Sequence, residues 1–161
     1  MQLVGMPLVE WIGAWPGAVL LQRSGIAYLL VNAAHIAGVG LLIGGILPLD
    51  LRLIGFFPSA PLAEIGPFLI RSAAIGGVLA IVTGLWLFTV KPAEYLANPA
   101  FLWKLGLLTV ALANVGLQHR NHHFRRALVG GALYPGVRLV AAASATLWLS
   151  VLVAGRWIGF V

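Results

Sequence analysis

Residues 26–47 read IAYLLVNAAHIAGVGLLIGGIL, twenty-two residues without a formal charge. At 1.5 Å per residue, such a helix crosses the roughly 30 Å hydrocarbon core of a bilayer. Three further runs share this character. Residues 72–90 form the second span and 139–155 the fourth, the latter bounded by Arg138 and Arg156. The third, 105–118, is short; Phe101, Leu102 and Trp103 extend it to about 101–119 if Lys104 snorkels to the interface. No run alternates with period two, which argues against a β-barrel.

Composition agrees with this reading. Of 161 residues, 61% are apolar and 9% charged, against about 25% charged in a soluble domain. Mean hydropathy is +1.01. So few charges cannot coat a water-facing surface, which excludes a soluble enzyme, a disordered tail and a nucleic-acid module. The net charge of +6 and pI of 10.9 therefore suit topology and anionic lipid, with no nucleic-acid partner. Cysteine is absent, so there are no disulfides or thiolate ligands.

The expected fold is all-α and integral to the membrane: a four-helix up-down bundle over residues 26–161. Pro48, Pro58, Pro61 and Pro67 punctuate the first connection, Pro92 and Pro99 the second, and Gly130, Gly131, Pro135 and Gly136 the third. Residues 1–25 lack a basic leader, and Glu10 interrupts their apolar stretch, so they do not read as a signal peptide. Trp11, Trp15 and Pro16 suit a short helix lying in the interface. Lys and Arg set the orientation. Arg52, Arg71, Arg120, Arg125, Arg126 and Arg138 fall on one side; Arg23, Lys91, Lys104 and Arg156 fall on the other. This bias places both termini outside the cytoplasm of a bacterial inner membrane. All six Trp, including Trp86, Trp103, Trp148 and Trp157, lie on or near that outer side. They read as an uneven aromatic belt or a docking surface for a periplasmic or membrane partner; a homo-oligomer is the other partner reading.

An ionisable side chain at membrane depth is costly and marks function by default. His35 is the clear case. Asn32 and Gly38 lie three residues to either side, on the same helix face. A neutral imidazole can ligate haem iron or copper, or relay a proton. A histidine bonded to a neighbouring helix, through Asn32 or Asn114, is the alternative. Gly40 and Gly44 form a small-xxx-small pair suited to tight helix packing or to a slot for a flat cofactor. His119, His122 and His123 follow an i, i+3, i+4 pattern that can hold a metal if one helix carries all three. His35 and His119 differ in depth by about 13 Å on these boundaries, which argues against both clamping one haem. Asp50, beside Arg52, is expected to pair with Arg71 or Arg120 as a structural ion pair. Walker A, nucleophile-elbow and HExxH motifs are absent, so hydrolysis is not indicated.

Two stretches carry a resemblance. His35-Ile-Ala-Gly38 through Gly44-Gly45 to Asp50-Leu-Arg52-Leu-Ile-Gly55 resembles the first helix of a bacterial family of small four-helix membrane proteins of unknown function, the DUF6644 type. Asn98-Pro99-Ala-Phe101-Leu-Trp-Lys104-Leu resembles the start of that family's third helix. The His-x-x-Gly…Gly-Gly part is also similar to the CopD copper-resistance membrane domain and, more distantly, to cytochrome b561-type helices. These resemblances imply copper handling or haem b electron transfer. The chain departs from the b561 type in lacking histidines paired at matching depths. The expected cofactor is haem b at His35, with copper the alternative, and a cofactor-free accessory subunit the third reading.

Because the chain has no cysteine, single-cysteine variants report topology directly. Ser59→Cys and Ala132→Cys are expected to react with membrane-impermeant maleimide only from the cytoplasmic side. Labelling of either from the periplasm would invert the orientation.

Overall fold

The computed structural model describes residues 6–160, and among these every regular element is a helix. Helices α1 (Met6–Ala14) and α2 (Pro16–Arg23) precede α3 (Gly25–Ile54). Then come α4 (Leu62–Phe88), the short α5 (Pro92–Ala97), α6 (Pro99–Arg120), the short α7 (His122–Ala127) and α8 (Pro135–Trp157). The protein is an integral, multi-pass membrane protein: α3, α4, α6 and the stretch Pro135–Phe160 are long and apolar enough to cross a bilayer. Their exposed faces are apolar, as at Ile26, Ile36, Ile75 and Leu139, where lipid would lie.

The helices begin where local chemistry directs. Ser24 caps α3 by accepting from the Ala27 N–H, and Asn98 caps α6 by accepting from Ala100 and Phe101. Proline opens α2, α5, α6 and α8, where its missing N–H costs nothing. The first two spans outrun their apolar runs. Pro48 and Pro67, expected in a loop, lie inside α3 and α4. Proline removes one helical hydrogen bond, yet in membrane helices the surrounding structure absorbs that loss. At about 45 Å, α3 is longer than the hydrocarbon core, and Asp50 and Arg52 belong to it. The true turn is short. It uses positive φ at Gly55 (127°) and Phe57 (53°), and Arg52 fastens it through Nε to the Ala60 carbonyl (2.7 Å) and Nη2 to the Pro58 carbonyl (3.2 Å).

Packing order matters more than helix order. Helix α3 lies against α4 on one side and α8 on the other, and α8 lies against α6. Helices α4 and α6 are not close neighbours, so the bundle is open between them. The α3–α4 contact is the tightest. A Cβ on Gly76 would collide with the Leu42 nitrogen and lie 2.6 Å from the Gly38 carbonyl oxygen. One on Gly38 would lie 2.7 Å from the Ala80 nitrogen, and one on Gly45 2.6 Å from the Leu69 oxygen. The expected pair Gly40 and Gly44 takes no part, since nothing lies within 4 Å of a Cβ at either. The packing seam is Gly38 and Gly45, two helical turns apart, with Gly40 and Gly44 on the outward side.

Two apolar clusters complete the bundle. One, at the end holding the α3–α4 and α7–α8 turns, contains Leu49, Leu53, Leu62, Phe124 and Val137. The other, towards mid-bundle, contains Ile46, Ala73, Ala111, Trp148 and Val151. The N-terminal helices lie against the opposite end. Trp86 Nε1 donates to the Gly17 carbonyl (3.0 Å), and Gln22 Nε2 donates to the carbonyls of Gly13 and Val90 (both 3.1 Å). Residues 1–5 of the proposed interfacial segment lie outside the described residues.

Gly76→Ala is expected to lower stability by about 1–3 kcal/mol through overpacking, whereas Gly40→Ala and Gly44→Ala leave it unchanged or raise it slightly. Thermal unfolding in detergent, followed by circular dichroism, checks the contrast.

Candidate functional site

The opening between α4 and α6 leads to a cavity of about 880 Å³, floored by α3 and α8. That volume lies in the upper part of the range for small-molecule sites. Its middle is apolar, lined by side chains such as Leu42, Ile46, Ile81, Leu108 and Leu152. Polar groups gather at its two ends.

His35 lines the end nearer the start of α3. Its Nδ1 lies 3.0 Å from the Ala80 carbonyl oxygen and 3.1 Å from Thr83 Oγ1. A carbonyl can only accept, and the Thr83 hydroxyl spends its proton on the Leu79 carbonyl at 2.6 Å. Nδ1 must therefore carry the hydrogen. In the neutral ring, Nε2 is left with its lone pair and has no hydrogen-bond partner among the described residues. Gly84 makes the ring's position available: a Cβ there would lie 3.0 Å from His35 Cε1. The close α3–α4 seam at Gly38 and Gly76 is what brings the Ala80 carbonyl within reach.

Lys104 shares this end. Like His35 it lines the cavity, and its chain lies against Gly155, 3.6 Å from Nζ to a Cβ placed there. Lys104 makes no hydrogen bond or ion pair among the described residues; the one ion pair there is Lys91–Glu94 at 3.0 Å. Arg156 also lines the cavity, with its guanidinium 4.5 Å above the Phe160 ring. Phe88 and Phe101, stacked at 5.6 Å, contribute an aromatic wall that Tyr95 extends. Burial pushes the Tyr95 phenol above its ordinary value.

The structure sorts the residues expected to act together. Asn32 and Gly38 do not line the cavity. Gly38 is filled by the α4 backbone, leaving no slot for a planar group on that face. Helix α6 ends at Arg120 and α7 restarts at His122, so His119, His122 and His123 do not share one helix face. His119 Nδ1 lies 2.9 Å from the Val115 oxygen, and its ring meets Phe124 edge-on at 5.3 Å. The His122 and His123 rings lie 3.8 Å apart, tilted at 39°. The His123 ring, with burial and then Arg126 and Arg125, holds the exposed His122 below the ordinary imidazole value. No group of three or more His, Cys, Asp or Glu able to hold a metal occurs among the described residues. The expected ion pair is also not formed. Arg52 serves the turn, Arg71 is exposed, and Asp50 is buried in the bundle beside the Ser144 hydroxyl. Trp148 is buried in the bundle and belongs to no docking face, whereas Trp11, Trp103 and Trp157 are exposed.

Sequence reasoning missed Lys104 as a site residue, having placed it at the interface, and missed Thr83 and Gly84 as partners of His35. A polar Thr83 next to Gly84 in an apolar run was the available signal. No protein-family model, curated protein or solved structure matches the chain.

Nitrogen-15 spectra of histidine-labelled protein at neutral pH should show His35 protonated at Nδ1 and bare at Nε2. In Gly84→Ala the added methyl should displace the ring and shift both resonances. A wild-type ring protonated at Nε2 would contradict the hydrogen-bond assignment.

Proposed function

We propose that this integral membrane protein holds haem b in the cleft between α4 and α6, with His35 Nε2 as an iron ligand. It would serve as an electron-transfer component of the bacterial inner membrane, with both termini outside the cytoplasm. The observation that carries this reading is the pinned imidazole. A metal-ligating histidine characteristically donates its other ring N–H to a carbonyl or carboxylate, which fixes tautomer and orientation. Here the Ala80 carbonyl is that acceptor, and the bare nitrogen belongs to a residue lining a lipid-accessible cavity.

The rest of the donor set fits the same ligand. Its carboxylates would find Lys104 and Arg156, two cations lining the cavity. Its apolar faces would lie among the aliphatic side chains of α3, α4 and α8, and one-electron exchange is the chemistry the iron would supply. His119 would not hold the same iron: it lies fifteen residues along α6 from Lys104, about 22 Å by helical rise. A copper site has less support, since copper prefers several imidazole or thioether ligands and His35 is one imidazole without such company. Exposed Trp11, Trp103 and Trp157 support the accessory-subunit reading but select no partner.

Haemin titrated into the purified protein in nanodiscs should produce a shifted Soret band at a stoichiometry of one. His35→Ala should lose that band while keeping its helical circular dichroism, and His119→Ala should retain it. A wild-type protein that leaves the haemin spectrum unshifted would end the haem reading.

A further inference from the structure

At the opposite end of the cleft, three polar atoms lack partners. Asp50 Oδ2, Gln118 Oε1 and Trp148 Nε1 are buried and make no hydrogen bond among the described residues. Their residues are 5%, 7% and 2% exposed, and all three line the same cavity. They come from three helices that converge on one face of α8. Asp50 of α3 faces the Ser144 hydroxyl, Gln118 of α6 donates through Nε2 to the Val137 carbonyl at 3.3 Å, and Trp148 stands one turn beyond Ser144.

An orphaned polar atom in a low-dielectric interior costs kilocalories, and a lone carboxylate costs far more. Two acceptors and one donor on a shared cavity match what a small cluster of waters satisfies. A cation or a proton must neutralise the carboxyl. At this end of the bundle the charged or titratable groups on the elements around it are Arg52 on α3, Glu64 and Arg71 on α4, His119 and Arg120 on α6 and Arg138 on α8, while His35, Lys104 and Arg156 lie towards the other end; none forms an ion pair with Asp50. The remaining carboxyl groups, Glu10, Glu64 and Glu94, are exposed outside this cavity.

We propose that this end of the cleft is a hydrated proton-binding pocket, with the Asp50 carboxyl as its protonatable group. In the step, the carboxylate takes a proton from hydronium, giving a carboxylic acid and water; no electron moves. The Ser144 hydroxyl, beside the carboxyl, would donate to it, and Gln118 Oε1 and Trp148 Nε1 would hold the water through which the proton arrives. The pocket lies fifteen residues along α3 from His35, about 22 Å, and does not depend on what binds there.

The test is infrared difference spectroscopy between acid and alkaline pH, on the full chain in lipid bilayers without added ligand. The expected result is a protonated-carboxyl C=O band that shifts in D₂O, is lost in Asp50→Asn, and survives in Glu10→Gln, Glu64→Gln and Glu94→Gln. Ser144→Ala, which keeps the carboxyl, should shift the band. A band that persists in Asp50→Asn, or is unmoved in Ser144→Ala, would overturn the assignment. So would a band abolished by sodium at fixed pH, which would make the pocket a metal-cation site. Because no haem is present, failure here is distinct from failure of the haem reading.

Discussion

The close approach of α3 to α4 governs the rest of the structure. Gly38 and Gly76 bring the two backbones together so closely that a single methyl at either has no room. In lipid there is little hydrophobic drive to join two apolar helices, so van der Waals contact between small residues does the joining. Two consequences follow from that one contact. The Ala80 carbonyl comes within hydrogen-bonding distance of His35, fixing its tautomer. And α4, held against α3, stands apart from α6, so the bundle is open on one side.

That opening has a division of chemistry along its length. The middle is aliphatic and matches lipid. The end with His35 offers an oriented imidazole, two cations and an aromatic wall; the end with Asp50 offers a carboxyl and an amide, with the Trp148 indole one turn nearer the middle. Such a cleft suits a ligand that arrives through the bilayer and keeps its polar groups at the ends. A charged or polar side chain is tolerated at depth only where it faces protein or a water-filled space. His35 and Asp50 both meet that condition: His35 is bonded to a backbone carbonyl and Thr83, and Asp50 is buried against α8 on the shared cavity.

What the sequence by itself determined was the set of apolar runs. Length and hydropathy depend on composition within one segment, so four spans, and the start of the third at Asn98-Pro99, could be read directly. The singular position of His35 was legible for the same reason. Partners were not. Gly40 and Gly44 fit a packing motif as well as Gly38 and Gly45 do, and only the rotation of α3 against α4 decides which pair is inside. Asp50 was assigned to an arginine because opposite charges attract, whereas the fold turns Arg52 to the Ala60 and Pro58 carbonyls and Asp50 to α8. His119, His122 and His123 are spaced for one helix face until the break at Asn121 separates them. The tertiary structure alone decided which helices are neighbours. Neighbour choice in lipid rests on steric fit between faces tens of residues apart, and that fit is not encoded in the periodicity of any one of them.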